Sequence, residues 1–141
     1  MGLAWGIPPQ ALQNPIFIMK NNAINWFEIF VSDFDRAKAF YEKILGQPLT
    51  STETPGGQMG IFALGGEGGT GGAITKMEGF APGKGGTLVY LDVEGDLDGV
   101  LGRIPGAGGK VIRERMAIPP HGFIGIFEDS EGNVVGLHSM I

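Results

Sequence analysis

Residues 25–46, NWFEIFVSDFDRAKAFYEKILG, decide the fold. Strand side chains alternate with period two, so across 26–31 Phe27, Ile29 and Val31 face one side and Trp26, Glu28 and Phe30 the other. Neither face is wholly polar, which predicts cover on both, one of them a helix. Ser32 and Asp33 then offer side-chain oxygens to the free N–H groups of a first helical turn. Asp33 and Asp35 suit the positive end of the helix dipole. Ala37, Phe40, Tyr41, Ile44 and Leu45 recur at helical spacing, with Arg36, Lys38, Glu42 and Lys43 mostly off that stripe. Gly46 stops the helix and Pro48 prevents its resumption.

Strand patterns follow. Residues 49–54 and 58–64 are short candidates separated by the turn Pro55-Gly56-Gly57, and 73–77 is another. The stretch 65–72, GGEGGTGG, reads as a loop, and 79–86 as a connector. Residues 88–93 repeat the first strand's grammar, with Val89, Leu91 and Val93 on one side and Leu88, Tyr90 and Asp92 on the other. Asp96 or Asp98 can cap a second helix running to about Ile104 on a stripe of Val100, Leu101 and Ile104. Gly99 and Gly102 weaken it by roughly 1 kcal/mol each relative to alanine. Strands at 110–116, 123–128 and 133–140 complete the set, the last two joined by a turn over 129–133. The order is strand–helix–three strands, twice. The chain is therefore expected to be α+β, with two βαβββ modules at about 24–78 and 86–140 around a shared concave cleft.

The modules form one domain over 23–141, preceded by an arm over 1–22. That arm is sparsely charged, its basic residue comes late, and Pro8, Pro9 and Pro15 interrupt its apolar stretch, so it does not read as a signal peptide. It is expected to be an extension, an upstream translation start with Met19 as the alternative, or an arm on a partner subunit.

Composition narrows the function classes. A chain of 141 residues, 43% hydrophobic, is enough for one domain with a real core. No apolar run reaches the roughly 18 residues a membrane span needs. A formal net charge of −5 argues against nucleic acid, whose binding rests on Lys and Arg neutralising phosphates. The count of 0 cysteines excludes disulfides, zinc–thiolate sites and thiol nucleophiles, and fits a cytoplasmic location. Residues 65–72 lack the Gly-Lys-Ser/Thr ending of a phosphate loop. Neither Ser130 nor Ser139 belongs to a legible triad. Arg113, Glu114 and Arg115 read as a solvated strand edge, which discourages edge-to-edge association.

Three stretches carry a resemblance: 27–33 (FEIFVSD), 37–46 (AKAFYEKILG) and 127–138 (FEDSEGNVVGLH). With the element order, they make the chain, over about 23–140, resemble the glyoxalase/bleomycin-resistance/dioxygenase group, the vicinal oxygen chelate (VOC) superfamily. The resemblance implies the glyoxalase/bleomycin resistance/dihydroxybiphenyl dioxygenase fold and a homodimer. It does not imply one activity, because the superfamily hosts isomerases, dioxygenases, epimerases, thiol transferases and drug-binding proteins. Its catalytic members hold a divalent metal on His, Glu or Gln side chains of the concave strands. By the motif alignment those positions fall on Trp26, Leu88 and Gly136, with a fourth near 60–63, where no His or carboxylate stands. Such side chains offer a cation no usable lone pair. No cofactor is therefore expected, a divalent metal being the alternative.

Strand parity still places polar groups on the concave face: Trp26, Glu28 and Phe30, then Leu88, Tyr90 and Asp92, then Gly136 and His138, with His121 near the rim. Glu28, Asp92 and His138 are the catalytic candidates, as an acid/base group or an unorthodox metal site. The alternative is structural: carboxylates bonded to backbone or to Tyr90, and a satisfied sheet histidine. Trp26, Glu28, Phe30, Tyr90, Asp92, His121 and His138 are the expected ligand-binding set. The leading expectation is a small organic molecule bound between the modules without the usual metal. The alternatives are a metal-dependent lyase, isomerase or dioxygenase, and a non-catalytic structural or interaction protein. Whether the chain is an enzyme stays open.

Overall fold

The computed structural model describes residues 26–63, 69–85 and 87–141. The arm over 1–22 and positions 64–68 of the glycine-rich loop lie outside the described residues. The order is β1 (Trp26–Phe30), α1 (Phe34–Leu45), β2 (Thr50–Thr54), β3 (Gly57–Ile61), β4 (Gly71–Met77), β5 (Tyr90–Asp92), α2 (Leu97–Ala107), β6 (Lys110–Ala117), β7 (Phe123–Glu128) and β8 (Val134–Ser139). This is strand–helix–three strands repeated.

The caps of α1 explain its bounds. Asp33 sits in extended backbone and its carboxylate accepts the Arg36 N–H at 3.0 Å. Gly46 closes the helix at φ 69°, a conformation that costs glycine little, and donates its N–H to the Glu42 carbonyl. Ser32 is not a cap. Its N–H and hydroxyl both donate to Glu131, 99 residues away. Asp96 stands at the N-cap of α2 but makes no side-chain cap bond. Its Oδ2 instead accepts from Arg103 at 2.7 Å. The helix runs past Ile104 to Ala107, with Pro105 in its last turn, where a missing N–H forfeits only one ladder bond.

Each module makes a four-stranded mixed sheet, in the orders β1-β4-β3-β2 and β5-β8-β7-β6. Within each, the first and last strands pair in parallel and the remaining pairs are antiparallel. Strand β4 begins at Gly71, inside the stretch expected to be a loop. Glycine suits position 72 because the Phe27 ring lies over it, where a Cβ would overlap the ring carbons. The short β5 leaves Leu88 and Val89 outside the strand, although the Gly136 N–H still donates to the Val89 carbonyl at 2.8 Å.

One core serves both modules. Ile29, Val31, Leu91, Val93, Val135 and Leu137 present the helix-facing sides of the sheets. Phe40, Tyr41 and Ile44 of α1 meet Val100, Leu101 and Ile104 of α2 and Phe127 of β7 in the same cluster. The Tyr41 hydroxyl crosses the module boundary to donate to Asp129 at 2.8 Å. Burial raises the Tyr41 pKa well above its usual value, and the Asp129 carboxylate adds to the shift, so the phenol stays a donor. Strand parity is as the sequence implies: Ile29 is buried while Trp26 on the opposite face is 40% exposed. Arg113, Glu114 and Arg115 are exposed on β6, an edge strand interrupted by two register shifts. Such irregularity discourages further strand pairing.

Candidate functional site

A cleft of about 1500 Å3 opens along β1 and β5, the edge strands of the two sheets. Residues from both modules line it. Trp26, Glu28 and Phe30 come from β1, Leu88 from the approach to β5, and Tyr90 and Asp92 from β5 itself. The alternation of β1 and β5 sends Ile29 and Leu91 into the core and turns these side chains outward. Trp26 and Tyr90 are 40% and 44% exposed, large aromatic surfaces left open to solvent at the cleft. Phe30 is less available: Phe80, from the connector after β4, stacks on its ring with centroids 4.6 Å apart.

The polar candidates are each engaged locally. Trp26 donates its indole N–H to Glu28 at 3.1 Å, orienting both at the start of β1. Asp92 accepts the Glu94 N–H at 3.0 Å. His138 lies beside Asp92 on the neighbouring parallel strand, but its Nε2 faces the His121 carbonyl at 2.6 Å. Because a carbonyl only accepts, that contact requires a proton on Nε2. No hydrogen bond joins Glu28, Asp92 and His138 among the described residues. The sequence placed all three on one face. The ladders hold Asp92 and His138 side by side and leave Glu28 on the other sheet. The cleft gathers Trp26, Glu28, Phe30, Tyr90 and Asp92, while His121 and His138 are tied to each other.

The divalent metal that the resemblance implies does not fit these residues. Trp26 and Leu88 carry no donor for it. At Gly136 the Tyr90 ring occupies the ground a side chain would need, and a Cβ there would overlap the ring carbons. Tyr90 pairs with Gly136 as Glu28 pairs with Ala73. The first-module counterpart of Gly136 is therefore Ala73 on β4, rather than a residue of 60–63, and it too lacks a donor. No three His, Cys, Asp or Glu side chains among the described residues converge as a metal group.

Sequence reading missed the residues that set the two modules against each other. Glu131, in the β7–β8 turn, accepts from the Ser32 N–H and hydroxyl at 3.2 and 3.0 Å and from the Asp33 N–H at 2.9 Å. It also accepts from Arg36 Nε at 2.6 Å and from Ser130 at 3.0 Å. Its side chain is fully buried. Burial pushes the carboxyl pKa up, but the hydrogen bonds from Arg36, the Asp33 backbone, Ser130 and Ser32 outweigh it and hold the value at about 2. Asn133, in the same turn, donates to the Phe30 carbonyl at 2.8 Å and accepts the Gly83 N–H at 2.8 Å. The turn thus fixes the end of β1 and the connector that walls the cleft. Only the turn residues themselves are legible in the sequence; their partners lie about 50 to 100 residues away.

Fold and site define a two-module glyoxalase-type domain. The family model of the Glyoxalase/Bleomycin resistance protein/Dioxygenase superfamily matches residues 23–137, and the chain belongs to that family. A protein of Mycobacterium bovis named "Putative glyoxylase CFP32" is 30% identical over 117 residues, which cover 83% of this chain. The match spans only 44% of that relative's length. A glyoxalase/bleomycin resistance protein from Albidiferax ferrireducens superposes with a TM-score of 0.65 at 15% identity, over 84% of this chain and 98% of that one. A family enzyme from Burkholderia phytofirmans gives a TM-score of 0.62 at 17% identity, over 83% and 98%. At such identities the likeness is one of fold.

Proposed function

We propose that this glyoxalase-like domain binds a small organic molecule in the cleft between its modules, without the divalent metal centre used by catalytic relatives. One observation carries the reading: the cleft is open and aromatic, and Trp26, Leu88 and a glycine covered by Tyr90 stand where the resemblance puts the metal ligands. Small-molecule sites are concave and mostly apolar, with a few placed polar groups. Trp26 and Tyr90 supply the apolar walls, and Glu28 and Asp92 the polar groups. A side-chain-filled cleft, as in a purely structural protein, would not leave this volume.

The reading assigns binding or sequestration as the role and leaves no metal step to derive. A second copy of the chain and a cytoplasmic location belong to the same proposal, the first from family resemblance and the second from the lack of cysteine. No helix among the described residues is long and apolar enough to cross a membrane.

The test is Trp26→Ala. The side chain is exposed, so the variant should fold with near-unchanged thermal stability and bind ligands from a small-molecule panel at least several-fold more weakly. A folded variant that binds every hit as the wild type does would remove the cleft from the account.

A further inference from the structure

We propose that the cleft selects organic cations with a flat apolar body, an inference that rests on reading the cleft as a binding site. The first observation is the sign of its charge. Among the described residues its charged lining is Glu28, Asp92, Glu94 and Asp96, with no Lys or Arg. Asp96 is neutralised by Arg103 at 2.7 Å. Glu28, Asp92 and Glu94 form no ion pair among the described residues; their carboxylates accept from the Trp26 indole and from the backbone N–H groups of Glu94 and Met140. Lys84, on the connector that walls the cleft, is drawn away to Glu128 at 3.0 Å.

The second observation is what lines the cleft beside these carboxylates. Trp26 is hydrogen-bonded to Glu28 on one strand, and Tyr90 is two residues from Asp92 on the other. An aromatic face attracts a cation through its quadrupole, most strongly for Trp. Each strand therefore offers one ring and one carboxylate, a pairing that suits a protonated amine or quaternary ammonium attached to an aromatic body. A bare metal ion is not served by it, since no three carboxylate or imidazole groups converge among the described residues. An anionic ligand, such as a carboxylate or phosphonate, would meet unpaired negative charge with no partner to offset it.

The experiment compares three probes of one shape at pH 7: 9-aminoacridine (cation), acridine (neutral) and acridine-9-carboxylate (anion). Binding to the full chain is followed by probe fluorescence polarisation. The cation should bind roughly tenfold or more tightly than the neutral probe, the scale of one modest charge–charge interaction, with the anion weakest. Asp92→Asn and Glu28→Gln, near-isosteric changes at non-core positions, should each narrow the ratio of cation to neutral-probe affinity. Raising salt should narrow it as well. Equal affinity for all three probes, still lowered by Trp26→Ala, would overturn the cation inference and leave the cleft reading standing. No binding of any probe to the folded wild type would overturn both.

Discussion

Replacing Glu131 by glutamine tests the tie between the modules with a magnitude fixed by the site. The substitution keeps the shape and removes the charge that Arg36, Ser32 and the Asp33 N–H share. The drop in the carboxyl pKa from 4.5 to about 2 corresponds, at 1.36 kcal/mol per unit, to about 3 kcal/mol of native-state stabilisation. Arg36 is 55% exposed, so solvent screening brings the expected figure nearer to about 2 kcal/mol. The sign follows from the direction of the shift. The folded value lies below the unfolded one, so this stabilisation is fully present above about pH 4.5 and lost as pH falls towards about 2. Urea unfolding of wild type and Glu131→Gln at a series of pH values isolates it, because acid effects common to both cancel in the difference. The variant should be less stable by about 2 kcal/mol at pH 7, with the gap closing in acid. A gap that is absent at pH 7, or that stays constant down to pH 2, would refute the argument.

Two further outcomes follow from packing. Tyr41→Phe removes a buried cross-module hydrogen bond, but Asp129 Oδ2 still accepts from Asn133 at 3.0 Å, so the loss in urea unfolding should be about 1 kcal/mol. Gly72→Ala and Gly136→Ala each drive a methyl into an aromatic ring. At Gly72 the ring is Phe27, packed on the core and stacked on Phe62, so the cost should be about 1–3 kcal/mol. At Gly136 the ring is the exposed Tyr90, which can swing into the cleft, so stability should change less and ligand affinity more. The reverse order of stabilities would contradict the assignment of the two rings to core and cleft.

The fold was legible because its signals are local. Period two in β1, the Asp33 cap, the stripe from Ala37 to Leu45 and the Gly46 stop each depend on neighbours within a few residues. So did the facing of Trp26, Glu28 and Phe30. What escaped depends on contacts distant in sequence. Ser32 looks like a cap because the sequence cannot show that Glu131 reaches it. Gly72 looks like loop because only the folded sheet lays Phe27 across it. Gly136 looks merely vacant until Tyr90 is seen over it. His121 and His138 illustrate the same limit: residue type marked them for chemistry, and only the folded hairpin brings the His121 carbonyl onto the His138 ring.

The central claim is that Trp26 stands at the wall of a ligand-binding cleft, and its own fluorescence tests that most directly. The chain has 2 tryptophans, Trp5 and Trp26, so Trp5→Phe leaves Trp26 as the single reporter. Titrating that variant with a panel hit that is transparent at the excitation wavelength should change the Trp26 emission saturably, at the affinity measured independently by calorimetry. Binding by calorimetry with no change in Trp26 emission at saturation would place the ligand elsewhere and contradict the account.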